Sequence, residues 1–141
     1  MKYIYSKADP KKILHIIHRA DDFEKRKDLL DSREFLQVAS IKENRETSFP
    51  PHYHLWKDTN FQKFIAQESW VVIKGTVRVD FYDTDHSFVC SEVLDAGDAS
   101  ITLMGGHGYT ILEDDTLVYE YKTGPYFGQD LDKRFIEPNN D

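Results

Sequence analysis

At 141 residues the chain is long enough for one domain and short for two, and at this length it buries roughly 70% of the surface its unfolded form exposes, so it needs no disulfide or structural zinc as a staple. Its 18 Lys and Arg stand against 25 Asp and Glu, a formal net charge of −7 that argues against recognition of a nucleic-acid backbone. A mean hydropathy of −0.60, a start at Met1 to Lys7 with no apolar signal core, and a single cysteine, Cys90, lead us to expect a cytoplasmic protein with no transmembrane helix and no internal disulfide.

Asp9 followed by Pro10 reads as an N-cap with proline at the first helical position, and Ile13, Leu14, Ile16 and Ile17 follow at helical spacing, which predicts a short helix over about residues 10–19. His15 and His18, three apart, would then lie on one solvated polar edge of that helix. Residues 21–31 are highly charged and carry too little periodicity to assign. From Phe35 the texture changes to short runs rich in Val, Ile, Phe, Tyr and Thr, the pattern of an all-β sandwich or barrel. Strands are predicted over 35–42, 69–74, 76–82, 88–94, 99–104, 109–112 and 117–122. Asp83-Thr84-Asp85 and Glu113-Asp114-Asp115 read as hairpin turns, and Asp95-Ala96-Gly97-Asp98 as a reversal whose glycine takes positive φ. The expected organisation is one domain: an N-terminal helical extension over 1–34, a β-barrel over 35–124, and an irregular tail over 125–141.

The chemistry concentrates in four places. In Pro50-Pro51-His52-Tyr53-His54 the prolines suppress helix, and an extended chain puts both imidazoles on one side. Glu68 opens an apolar, β-rich run and needs a partner if it points inward; Gln62 and Gln67 are the alternatives to it as an oxygen ligand. In Gly105-Gly106-His107-Gly108 the glycines let the imidazole reach an interior, where it would complete a three-nitrogen, one-oxygen set with His52, His54 and Glu68. Such a set suits Fe(II), Mn(II), Ni(II) or Zn(II) without choosing among them. Tyr109 shares the face of His107, so its hydroxyl either binds substrate or donates a proton, as a catalytic group, or is satisfied locally within the core. Trp70 and Val72 share the face of Glu68 and would wall the site. Glu120 and Lys122 read as an exposed ion pair on the side of their strand opposite Leu117, Tyr119 and Tyr121, with an inward acid–base pair as the lesser alternative. Residues 55–64, rich in aromatics, read as a rim or lid. Charge follows the same division: residues 1–46 carry 11 basic against 9 acidic side chains, and residues 47–141 carry 7 against 16, a setting that attracts cations.

These motifs resemble those of the cupins, small jelly-roll barrels. The first cupin motif, G-x5-H-x-H-x3,4-E-x6-G, appears as His52-x-His54 and Glu68-x6-Gly75, with thirteen residues between His54 and Glu68 and Glu46 at the place of the opening glycine. The second, G-x5-P-x-G-x2-H-x3-N, appears as Gly97-x5-Leu103-x-Gly105-x-His107, with Ile111 where asparagine usually stands. Pro51-His52-Tyr53-His54, Lys122-Thr123-Gly124-Pro125-Tyr126 and Asp132-Lys133 are similar to the single-domain cupin-fold metalloproteins of the WbuC type, which are encoded with surface-polysaccharide genes. The resemblance implies a cupin-like jelly-roll barrel, a homodimer, and a divalent transition metal held by His52, His54, Glu68 and His107. It also implies a small-molecule ligand, such as a sugar or nucleotide-sugar intermediate, acted on by isomerisation or epimerisation. An Fe(II)-dependent dioxygenase and a non-catalytic ligand sensor are the competing expectations. A metal-independent sugar ketoisomerase ranks below them, because the Arg-Gly-x-His-Ala-His-Lys type of signature is missing from residues 50–55.

Overall fold

A computed structural model of the chain describes residues 1–54 and 64–136. Within them the elements are β1 (Lys2–Tyr5), β2 (Ile13–His18), β3 (Arg26–Asp28), β4 (Ala39–Ile41), β5 (Glu68–Lys74), β6 (Val77–Tyr82), β7 (Phe88–Leu94), β8 (Ala99–Thr102), β9 (Gly106–Ile111), β10 (Leu117–Lys122) and a one-turn helix, α1 (Gln129–Asp132). The larger sheet runs β1-β2-β8-β5-β10, a second runs β7-β6-β9, and β3 pairs with β4 apart from both. Every pairing is antiparallel. The expected all-β class is observed. Among the described residues the sheets stay open, so no barrel is closed by backbone hydrogen bonds. No helix is long and apolar enough to cross a membrane among the described residues.

The predicted N-terminal helix is absent, and with it the helical extension over 1–34. Residues 13–18 are instead the second strand of the large sheet, hydrogen-bonded to β1 on one side and β8 on the other. Five of the six are buried because the sheet is covered on both faces. A strand buried on both faces shows a continuous apolar run instead of alternation, and such a run cannot be told from a buried helix by periodicity. Asp9 does cap a turn, its carboxylate accepting the Lys11 amide at 3.1 Å, but the turn leads into a strand. The predicted run 35–42 shrinks to the three residues of β4, while β7 and β10 match their predicted spans and β9 starts early enough to include His107.

Alternation along the large sheet sorts two cores. Ile4, Ile17 and Val72 pack against Val77, Val79, Phe81 and Leu94 of the smaller sheet, making the interior of a sandwich. On the outer face, Ile16, Ile101 and Leu103 pack under Leu29 and Leu30, which the chain before β4 lays across the sheet. Two buried carboxylates tie the layers. Asp83, in the β6–β7 turn, accepts from Ser6 Oγ at 2.9 Å, Lys7 N at 2.6 Å, and both the amide (2.6 Å) and hydroxyl (3.3 Å) of Thr84. Asp98, in the β7–β8 turn, accepts from Arg19 at 2.7 Å and Ala20 N at 2.8 Å. That second turn has the predicted glycine geometry, Gly97 standing at φ 91° with no room for a Cβ against Ala20.

Candidate functional site

Glu68 opens β5, where it lies opposite Thr102 of β8 on one side and Lys122 of β10 on the other. His107 lies on β9 opposite Phe81, so its ring enters the sandwich from the facing sheet. The two meet at one end of the interior, His107 Nε2 to Glu68 Oε1 at 3.1 Å, with 22% and 15% of the side chains exposed. Burial pushes the Glu68 carboxyl up. The hydrogen bond from His107 and the attraction of His107, Lys122 and Lys133 outweigh it, and hold the group below the usual glutamate range. The other ring nitrogen, His107 Nδ1, is buried and has no partner among the described residues.

An aromatic wall stands beside this pair. Tyr109, two residues along β9, stacks on Trp70 with ring centroids 3.9 Å apart and planes 6° from parallel. Its hydroxyl is shared with Ser100 Oγ at 2.9 Å, and burial drives its ionisation above the ordinary tyrosine range. Of the two expectations for Tyr109, local satisfaction within the core is the arrangement seen. Trp70 Nε1–H donates to Glu120 Oε2 at 3.3 Å.

Behind Glu68 the same sheet row continues through Thr102 to His15. His15 is fully buried with Phe81 against its ring at 4.4 Å, and is not on the solvated edge expected of it; His18 is buried as well. Because a carbonyl only accepts, His15 Nε2–H donates to Tyr82 O at 3.2 Å, which leaves Nδ1 to accept from the Thr102 hydroxyl at 3.1 Å. Burial, reinforced by His107, lowers the His15 pKa to about 4 despite the Tyr82 carbonyl and Asp83, so the ring is neutral. Gly105, at φ 80°, passes so close that a Cβ there would stand 2.4 Å from Tyr82 O.

No family model matches this chain. No curated protein or solved structure is significantly similar to it either.

The four expected metal ligands are gathered as two pairs. His52 and His54 do approach each other, with ring centroids 5.2 Å apart and planes at 80°, but they sit exposed on an irregular segment, His52 Nδ1 bonded to Pro50 O at 3.0 Å. Among the described residues no three His, Cys, Asp or Glu side chains converge. As placed, these residues do not fit a four-ligand centre. Gln67 is not a substitute ligand: its carbonyl accepts from Leu36 N at 2.8 Å and its amide donates to Glu34 at 2.7 Å, both away from Glu68. Gln62 and the expected lid up to residue 63 lie outside the described residues.

Glu120 and Lys122 share the side of β10 opposite Leu117, Tyr119 and Tyr121, as expected, and Glu120 is exposed and within ion-pair reach of Lys122; Lys122 itself is mostly covered. Lys122 Nζ is 3.9 Å from Glu120 but 3.0 Å from Asp132 of α1, and lies 4.1 Å over the Tyr126 ring. The tail thus folds back over the end of the sandwich, and Ile136 abuts Gly106 closely enough to leave no room for a Cβ there. His15, Ser100 and Thr102 become part of the site only through cross-strand register, and Asp132 only through the return of the tail, so none of them was read from the sequence as part of it.

Proposed function

We propose that this chain is a cupin-like β-protein that moves a proton on a small polar molecule, in the manner of a sugar isomerase or epimerase, with Glu68 and His107 as the working pair. The observation that carries this reading is the 3.1 Å contact between a carboxylate held ionised and an imidazole, both mostly covered yet open to solvent at one end of the sandwich. An ionised carboxylate accepts a proton from carbon beside a carbonyl, and the imidazole it orients donates one to the carbonyl oxygen. Trp70 and Tyr109 exclude water from one side, which strengthens both interactions. Glu68→Gln and His107→Ala are expected to slow catalysis by about 10²-fold or more, the usual contribution of general acid–base groups. The measurement is loss of carbon-bound protons from aldoses, ketoses and nucleotide sugars in D₂O, followed by NMR. Absence of exchange with every sugar tried, or exchange that survives both substitutions, overturns the proposal.

The second reading is a metal-dependent form, which the placement of the four residues does not by itself assemble; its one favourable detail is that His107 Nδ1 is buried and unpartnered among the described residues. It requires His52 and His54 to join His107. Elemental analysis of protein purified without a metal-binding tag decides it. Stoichiometric Fe, Mn, Ni or Zn lost in both His52→Ala and His107→Ala supports the metal, and identical traces in all three proteins remove it together with the dioxygenase alternative. Saturable sugar binding without turnover under any condition would favour the sensor reading. A homodimer belongs to the same proposal, a second copy adding at the free edge of β10; sedimentation equilibrium at twice the 16.5 kDa chain mass tests it.

A further inference from the structure

The tail is tied to the body at two points that belong to different sheets. Lys122, on the end strand β10 of the larger sheet, holds Asp132 at 3.0 Å and lies 4.1 Å from the centre of the Tyr126 ring. Ile136 abuts Gly106 at the start of β9, the end strand of the smaller sheet, where a Cβ would stand 2.5 Å from Ile136 Cδ1. Gly106 is outside the positive-φ region, so its want of a side chain serves the seating of Ile136 and not a turn. Lys122 lies opposite Glu68, and Gly106 precedes His107. Residues 126–136 therefore cross from one layer to the other over the end of the sandwich where those two side chains meet.

Little else holds this span. None of its residues is buried, and only Gly128, Asp132 and Ile136 are partly covered. The backbone bonds of α1, Leu131 N to Gly128 O at 3.2 Å and Lys133 N to Gln129 O at 3.0 Å, are internal, and none joins the span to either sheet among the described residues. Phe127, Leu131 and Phe135 face solvent. A segment with so few buried contacts opens at a small fraction of the cost of unfolding the chain, and the segments that gate sites are drawn from that class. We propose that residues 126–136 are a releasable strap across the mouth of the sandwich, and that a ligand reaches Glu68 and His107 when the Asp132–Lys122 and Ile136–Gly106 holds let go. This rests on the reading of Glu68 and His107 as the pair that handles a ligand, but its test needs none.

Diethyl pyrocarbonate acylates an accessible imidazole nitrogen with loss of ethanol and carbon dioxide, and peptide mass spectrometry reads each histidine separately. In the full chain the exposed His86 should react fast, the mostly covered His107 slowly, and the fully buried His15 not at all. Asp132→Asn loosens one hold and Ile136→Ser the other, and only the first changes the charge near the imidazole. Each should speed His107 acylation about fivefold or more, and the double variant further, with His86 unchanged and His15 still protected. Wild-type His107 reacting as fast as His86, or a His107 rate within about twofold of wild type in either single variant, would overturn the proposal. So would acylation of His15 in either variant, which would make the tail part of the fold and not a strap. No sugar enters this measurement, so its failure leaves the proton-exchange reading standing, and failure of proton exchange leaves the strap's release measurable.

Discussion

A neutral imidazole walled into a sandwich interior makes folding sensitive to pH in a window where few other groups titrate. His15 has its pKa lowered from 6.5 to about 4, so between those values the unfolded chain takes up a proton that the folded one refuses. The contribution is fully present above pH 6.5 and is lost as pH falls toward 4, about 3 kcal/mol in all at 1.36 kcal/mol per pKa unit. Urea unfolding at pH 7 and pH 4.5 should show this loss in the wild type and little of it in His15→Gln. Asp83 acts in a lower window: its four donors outweigh burial and bring its carboxyl to about 2, so its contribution is present above the ordinary aspartate value of 3.8 and is lost as pH falls through about 2. Tyr109 separates two roles that the sequence leaves open. With its hydroxyl engaged by Ser100, Tyr109→Phe should cost about 1 kcal/mol of stability and leave sugar proton exchange within about tenfold of wild type, whereas a proton-donating Tyr109 would lose 10²-fold or more.

At the scale of elements, β2 and β10 show what period and apolarity do and do not reveal. β7 and β10 announced themselves because one side of each is open, so alternation survives in Phe88 to Leu94 and Leu117 to Lys122. β2 did not, because a face covered by Leu29 and Leu30 and a face covered by Phe81 both demand apolar residues. In β10 alternation was visible: Leu117, Tyr119 and Tyr121 are the bare side, and on the other side Val118 packs on the core, Lys122 is mostly covered beside Glu68 and Asp132, and Glu120 stays exposed at the rim with Trp70. Substitutions should report these directions. Ile17→Ala, in the fully buried core, should cost roughly 2–5 kcal/mol in urea unfolding, and Tyr121→Ser, on the bare face, within about 0.5 kcal/mol. Gly105→Ala should unfold at lower urea than wild type, because backbone lies where its methyl group must go.

Across the whole molecule, the β class and the nearness of His107 to Glu68 were legible, because each follows from strand alternation and from glycines that free a backbone, whereas the wall expected from Trp70 and Val72 is made by Trp70 stacked on Tyr109. The rest of the site depends on which strand lies beside which. Thr102 and His15 join Glu68 only through the order β2-β8-β5, and Asp132 joins Lys122 only because the tail doubles back. No periodicity encodes either. The polar row from Lys122 through Glu68 and Thr102 to His15 also divides the interior lengthwise. Beyond it, Val72, Val77 and Leu94 form a fully buried apolar end, while the carboxylate of Glu68, the imidazole of His107 and the ammonium of Lys122 are partly exposed. Such a molecule breathes from one mouth: amide deuteration should advance early through residues 106–108 and 120–122 and reach Val72 and Val77 only when the entire chain unfolds. Whatever enters between the layers therefore meets ionisable side chains first and a fully buried aliphatic seam behind them.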